Sequence, residues 1–426
     1  MHINGYKKRV IDSVIKKYLE TFGAVCVEGP KWCGKTWASR NQAASEFLVG
    51  NPAGNFQNRR LAELDISMAF KGEAPHLIDE WQEIPALWDA TRSFVDENGT
   101  KGRYILTGSS TPKEKGIMHT GTGRIASIRM QTMSLFESEE SEGCISLKDL
   151  CENRTIPVQP VHNPDLITIA EWIVRGGWPG ALDIPVKEAI RIPREYIKQV
   201  IQKDIHSIDE TKRDIHKVEL LLRSLARNES TTTANATLCA DIKGVESETV
   251  DPDTVSNYLN ALARLFIIDN QKPFGASIRS SIRVKQAEKR HFCDPSLACA
   301  LLKLTPERLI ADLQFMGFVF ESLVDRDLRV YASSFGAEVL HYQDYKDNEI
   351  DTVIEMKDGE WAAVEVKLGA HQEEEAARHL LRIRDTFAKD KAARVPKSLI
   401  VILGKSSAAY TRKDGVHVVP LSALRP

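Results

Sequence analysis

Residues 24–40 read AVCVEGPKWCGKTWASR, and the folding of this stretch decides the architecture of the first third of the chain. Gly29 to Thr36 fit G-x-x-x-x-G-K-[ST], the spacing of a loop that wraps phosphates. Glycines let the backbone curl so that its N–H groups point inward, and the following helix adds the positive end of its dipole. The pattern predicts a buried strand at Ala24–Val27 and a helix from Trp37 to Leu48. On this reading Gly29, Pro30, Lys31, Trp32, Cys33, Gly34, Lys35, Thr36 and Trp37 make the cradle. Lys35 reaches the outer phosphates, and Thr36 offers its hydroxyl to Mg²⁺. A surface turn matching by chance is the competing reading, against which the strand-loop-helix context counts.

Such a loop needs a carboxylate partner on a neighbouring buried strand. PHLIDEWQEIP, residues 75–85, supplies an acidic pair. Asp79 is placed on Mg²⁺, and catalytic Glu80 accepts a proton from the attacking water or orients it. The apolar run GRYILTGSS at 102–110 ends in hydroxyls. Thr107, Ser109 or Ser110 either sense the γ-phosphate or simply form a turn. Arg124, before the alternating run IASIRM, is either a finger on the nucleotide of its own or a neighbouring subunit, which invokes a homo-oligomer, or a solvated arginine. Tyr6 and Arg9, upstream of the loop, are placed beside the base.

The 426-residue length suggests two or three domains, and 42% hydrophobic with 27% charged residues is ordinary globular composition. A net charge of −2 excludes a global attraction to nucleic acid. Seven cysteines without a C-x-x-C pair fit reduced thiols and a cytoplasmic location. No apolar signal core or spanning stretch is present, so no membrane partner is expected.

Further along, FESEESEG at 136–143 reads as an exposed acidic loop, and Gly176-Gly177 with Trp178-Pro179 break one helix before the next. Residues 188–228 are helical, with Leu220, Leu221, Leu222 and Leu225 facing a core. A short helix at ATLCADI precedes a longer one at DPDTVSNYLNALARLF, with Asp251 as N-cap and Pro252 at its first position. IIDNQKPF and KRHFCDP follow as strand-like segments. This is the order of a winged helix-turn-helix. Lys272, Arg279, Arg283, Lys285, Lys289 and Arg290 stand against Glu288, a local positive excess suited to DNA or RNA at residues 251–291, although winged helices also dock proteins.

EIDTVIEMKDGEWAAVEVKLG, residues 349–369, predicts a hairpin. A three-residue loop with Gly359 left-handed makes Met356 face Glu360 and Asp351 face Glu365, with Lys367 on the same side. A two-residue turn would send Asp351 to the other face. Two carboxylates and a lysine together can hold a divalent metal and a hydrolytic water against a phosphodiester. Glu321, in the helical run MGFVFESLVDRDLRVYAS, adds a third carboxylate. Ile350, Ile354, Val364 and Val366 form the apolar face. The competing reading leaves the charges on the wet face of a surface hairpin.

GPKWCGKT, LIDEWQEIPALWDA, LTGSSTP, GTGRIASIRMQTMSLFESEESEG, RGGWPG, LARNESTTTANATLCADI and the D-x13-E-x-K hairpin occur in this order. The chain thereby resembles a prokaryotic family of AAA-type P-loop ATPases with a C-terminal domain of unknown function. The resemblance implies an α/β chain: an AAA-like P-loop ATPase domain with a mostly parallel sheet at 1–150, a helical connecting region at 151–228, a winged helix at 229–305, and a restriction-endonuclease-like PD-(D/E)xK domain at 306–426. It also implies ATP as the nucleotide. In the nuclease pattern the metal-binding acid maps onto Asp351, the E-x-K pair onto Glu365 and Lys367, and the helix glutamate onto Glu321. No proline precedes Asp351; Asn348-Glu349-Ile350 stand there instead. The implied function is ATP hydrolysis coupled to nucleic acid and a metal-dependent nuclease site. The alternative is an ATP-dependent switch whose nuclease-like domain only binds partners.

Overall fold

Ala24–Glu28 form β1, and residues 24–27 are fully enclosed. A strand apolar on both faces needs cover on both sides, which parallel sheets flanked by helices provide. The computed structural model describes residues 5–99, 101–110, 118–208, 211, 213–245, 250–275, 284–346 and 348–426. They divide into two units, the first comprising 1–132, 202–213 and 260–267, the second 133–201, 214–259 and 268–426. The expected boundary at 150 thus lies inside the second unit, and the middle of the chain is shared between the two.

In the first unit, α1 (Ile11–Leu19), α2 (Lys35–Gln42) and α3 (Ala86–Asn98) accompany five parallel strands. These are β1, β2 (Ser45–Leu48), β3 (His76–Asp79), β4 (Tyr104–Gly108) and β5 (Ile125–Arg129), ordered β2-β3-β4-β1-β5. Side chains alternate between two cores. Ala24, Cys26, Ile78 and Leu106 pack with Leu87, Trp88 and Val95 of α3. Val25, Val27, Leu77 and Ile105 pack with Ile11, Val14, Ile15 and Ala38. The helix expected to reach Leu48 stops at Gln42, because residues 45–48 pair with β3, Leu48 beside Asp79.

The second unit contains α4 (Leu166–Arg175), α5 (Ile215–Arg227), α6 (Asn235–Val245), α7 (Pro252–Arg264, which continues into the first unit), α8 (Pro295–Leu301), α9 (Leu313–Phe335) and α10 (Glu373–Lys389). Asp251 caps α7 by accepting from the Thr254 N–H at 2.9 Å, as expected. The acidic segment 136–143 is not a wholly exposed loop. Glu137 is buried and accepts from the Ser134 N–H, while Glu140 accepts from the two terminal guanidinium nitrogens of Arg175 at 2.7 and 2.6 Å. Asp294 joins three sequence motifs: it caps α8, accepts from the Gly177 N–H at 2.9 Å, and pairs with buried Arg326 at 3.2 Å. Breaking one partner of such a buried pair strands the other charge.

The strands of this unit are β6 (Ile145–Ser146), β7 (Gln159–Pro160), β8 (Glu338–Gln343), β9 (Glu349–Glu355), β10 (Trp361–Lys367), β11 (Ser398–Leu403), β12 (Ala408–Thr411), β13 (His417–Pro420) and β14 (Leu424–Arg425). A mixed sheet runs β7-β12-β13-β11-β10-β9-β8, and β6 pairs with β14. The β9–β10 loop has the three-residue form: Met356 N–H donates to Glu360 O, and Gly359 has φ +82°, a conformation glycine adopts without Cβ strain. Trp361 pairs with Glu355 and Val364 with Thr352, so Asp351 comes opposite Glu365. Both hairpin faces are covered. Val353, Trp361 and Ala363 share a core with Leu380, Ile383 and Phe387, and Ile354 and Val364 are fully buried. The wet-face reading is therefore excluded. Among the described residues no helix is long and apolar enough to cross a membrane.

Candidate functional site

The cradle between β1 and α2 is held by contacts the spacing only implied. Gly29 has φ +154°, and a Cβ there would lie 2.2 Å from the Met130 carbonyl oxygen. Arg9, nearly enclosed, donates from Nη1 to Cys33 O at 2.7 Å and from Nη2 to Gln131 O at 2.9 Å. It clasps the loop, a role different from the one placed beside the base. Lys35 is buried, and its Nζ donates to Gly29 O and Pro30 O at 2.9 and 2.8 Å. The ammonium is thus stored on the loop's own carbonyls. Lys31 is turned to Asp204 at 2.8 Å, whereas Trp32 and Trp37 are exposed.

The acidic pair meets this loop because β4 lies between β1 and β3 and carries Thr107 one residue before its end. Asp79 Oδ1 accepts from Thr36 Oγ1 at 2.8 Å and from Thr107 Oγ1 at 2.5 Å. Burial raises the Asp79 pKa above the ordinary carboxylate value, and these two hydroxyls work against the rise. Glu80 adopts a left-handed backbone, φ +60°, and its N–H donates to Thr107 Oγ1 at 3.0 Å. Ser109 Oγ donates to Glu80 Oε2 at 3.1 Å, and Gln82 Nε2 donates to the same oxygen. Gln82 escaped the sequence reading, although it stands in the DEWQ stretch two residues from Glu80. The hard oxygen donors Thr36 and Asp79 already converge, so the residues present fit a Mg²⁺ ion.

Arg124 is corrected by strand direction. β5 runs parallel to β1 with Ala24 beside Ile125 and Glu28 beside Arg129. Arg124 therefore lies at the edge of the sheet opposite its own phosphate loop, about 16 Å of strand away. It pairs with Asp96 at 2.8 Å. Arg129 occupies the loop edge instead, its guanidinium 4.0 Å from the centre of the Phe266 ring.

The hairpin brings Asp351, Glu365 and Lys367 together. Lys367 Nζ lies 3.1 Å from Asp351 Oδ2 and 2.7 Å from Glu365 Oε2, and the Val366 N–H donates to Asp351 Oδ2 at 2.8 Å. Burial pushes the Asp351 pKa up, but Lys367 and Lys289 outweigh it and hold the carboxyl below its usual range. Burial raises Glu365, with the Asp351 charge adding to it. His379 on α10 approaches Glu365 Oε1 with Nδ1 at 3.0 Å, a partner invisible to local pattern.

Glu321 is not in direct register with these acids. Lys289 stands between them, donating to Glu321 Oε1 at 2.8 Å and to the Asp351 backbone oxygen at 3.2 Å, with Glu349 Oε1 at 3.1 Å. Its side chain is 1% exposed. Burial drives Glu321 up to about 8, against the pull of Lys289. The carboxylate oxygens of Asp351, Glu365 and Glu321 face ammonium groups in this arrangement, and among the described residues no group of three or more His, Cys, Asp and Glu that could hold an ion is found.

The basic segment changes accordingly. The two strand-like stretches do pair antiparallel, Ile268 with Phe292 and Gln271 with Lys289. Lys289 is spent internally, and Arg290 donates to Thr233 O and Asn235 Oδ1. Arg279 and Arg283 lie outside the described residues.

Comparison with known proteins agrees with the first site. Residues 21–139 match a family model described as an AAA domain. Residues 167–308 and 316–424 match two domains of unknown function, DUF8612 and DUF4143. The Walker-type ATPase PABY2304 of Pyrococcus abyssi is 14% identical, covering 70% of this chain and 96% of its own, with a TM-score of 0.43. The Orc1 protein of Aeropyrum pernix, solved in complex with DNA, is 13% identical, covering 71% of this chain and 95% of its own, with a TM-score of 0.26. Similarity at that level carries no argument about this chain. No curated protein matches it. Residues 21–139, with the five-stranded parallel sheet they contain, are the part of the chain that the AAA-type P-loop match covers.

Proposed function

We propose that the P-loop domain binds ATP and hydrolyses it to ADP and phosphate. The observation that carries this is the junction of Thr36, Asp79 and Thr107, which ties the phosphate loop to the acidic strand end. Thr36 and Asp79 would hold Mg²⁺, which supplies charge neutralisation on the phosphates when bound. Lys35 exchanges the carbonyls of Gly29 and Pro30 for phosphate oxygens. Glu80, oriented by Ser109 and Gln82, takes the proton of the attacking water. The test is phosphate release by the wild type, Lys35→Ala and Glu80→Gln proteins. Turnover by the wild type that Glu80→Gln abolishes, with nucleotide binding retained, is the expected result; a wild type that binds ATP but never turns over rejects hydrolysis.

The second unit is read as the partner-binding half of an ATP-dependent switch. Helices α6 and α7 followed by the 268–292 pairing support a winged helix, with DNA or RNA as the proposed partner of residues 251–291. The filling of the Glu321–Asp351 region by Lys289 favours binding over cleavage. Asp351-dependent cleavage of DNA or RNA with Mg²⁺ or Mn²⁺ would reinstate the nuclease. A cytoplasmic location and assembly into a homo-oligomer belong to the same proposal.

A further inference from the structure

We infer that the ammonium of Lys289 is the resident cation of the C-terminal carboxylate cluster, and that the folded site thereby excludes a divalent metal ion. The inference rests on reading Asp351, Glu365 and Glu321 as a nuclease-like constellation. Lys289 Nζ lies 2.8 Å from Glu321 Oε1, 3.1 Å from Glu349 Oε1 and 3.2 Å from the Asp351 backbone oxygen. A Mg²⁺ or Mn²⁺ ion bound to the same oxygens at about 2.1 Å would occupy nearly the position of that nitrogen. Two cations cannot share that position, since like charges at such separation repel strongly even at an effective dielectric of about 20.

The remaining acids are answered as well. Glu365 has one oxygen on Lys367 and the other on His379, and Asp351 Oδ2 takes both Lys367 and the Val366 N–H. Lys289 has little freedom to leave. Its backbone exchanges two hydrogen bonds with Gln271, at 2.9 and 3.0 Å, and the next residue, Arg290, is anchored on Thr233 and Asn235. The lysine is thus delivered from one chain segment into acids carried by two others, α9 and the β9–β10 hairpin. A cluster with the donors of a metal site is thereby filled by the protein's own ammonium groups.

The test is Mn²⁺ binding to the nucleotide-free full chain, followed by electron paramagnetic resonance. The wild type should bind Mn²⁺ no better than Glu321→Gln or Asp351→Asn. Lys289→Met should gain a site at least about 10-fold tighter than any that depends on these acids in the wild type, as loss of one adjacent unit charge requires. Adding Glu321→Gln should remove the gain, and Lys289→Arg should not produce it. Should Lys289→Met fail to fold, the wild type alone decides: Mn²⁺ binding lost on Asp351→Asn or Glu321→Gln overturns the inference, as does a folded Lys289→Met protein that gains nothing. Cleavage is scored separately. Mn²⁺ gained by Lys289→Met without any cleavage would reject the nuclease reading and leave the inference standing.

Discussion

Asp79 and Asp351 are both half-buried acids beside a lysine-bearing motif, yet they are answered in opposite ways. Asp79 is held by two neutral threonine hydroxyls, while the nearby Lys35 is parked on backbone carbonyls. Asp351 is held by the ammonium of Lys367, with Lys289 on its backbone oxygen. The carboxyl pKa moves up at the first and down at the second. An acid supported by hydroxyls keeps its affinity for an arriving cation. An acid already neutralised by fixed lysines has spent it.

The comparison breaks first at the P-loop. Lys35→Ala and Glu80→Gln should each lower ATP turnover by on the order of 100- to 1,000-fold, measured as phosphate release. Equal activity in these variants would remove the contrast. At the C-terminal cluster the large effect should fall on stability: Lys367→Met leaves Asp351 and Glu365 facing one another and should cost about 3–5 kcal/mol in urea unfolding. A loss below 1 kcal/mol would show that the cluster is not held by its ammonium groups.

His341 sharpens the picture through pH. Burial, with the Lys289 charge assisting, lowers its pKa to about 4. Between 6.5 and about 4 the unfolded chain binds a proton that the folded chain does not, so stability is intact above 6.5 and falls with pH across this window. The loss is at most about 3 kcal/mol. In Lys289→Met the His341 titration, followed by NMR, should move back toward 6.5. The smallest effect belongs to Arg124. Arg124→Ala should change turnover less than about 2-fold in a monomer, since the residue lies on the far edge of its own sheet. A larger loss that depends on protein concentration would assign it to a neighbour's nucleotide.

The features legible in the sequence are those set by neighbours along the chain. The P-loop spacing, the N-cap at Asp251 and the hairpin loop at Gly359 each depend on a few consecutive residues. The Asp351–Glu365 register then follows by counting. Lys289 was readable only as one of six basic residues, because its partners lie 32 and 60 residues further along the chain. Arg124 and Arg129 are equivalent until strand order and direction are known. The turn from helix to strand at Gln42 was hidden because ASEFLV suits either, and pairing with β3 decided it.

Trp32 has φ +66° and is 68% exposed, and Trp37 is 46% exposed. The other five tryptophans, at 81, 88, 172, 178 and 361, are buried. A soluble quencher such as acrylamide therefore addresses almost only the two indoles of the phosphate loop. The molecule carries its own optical gauge of that loop, and the intrinsic emission of the unlabelled protein reports when a ligand covers it.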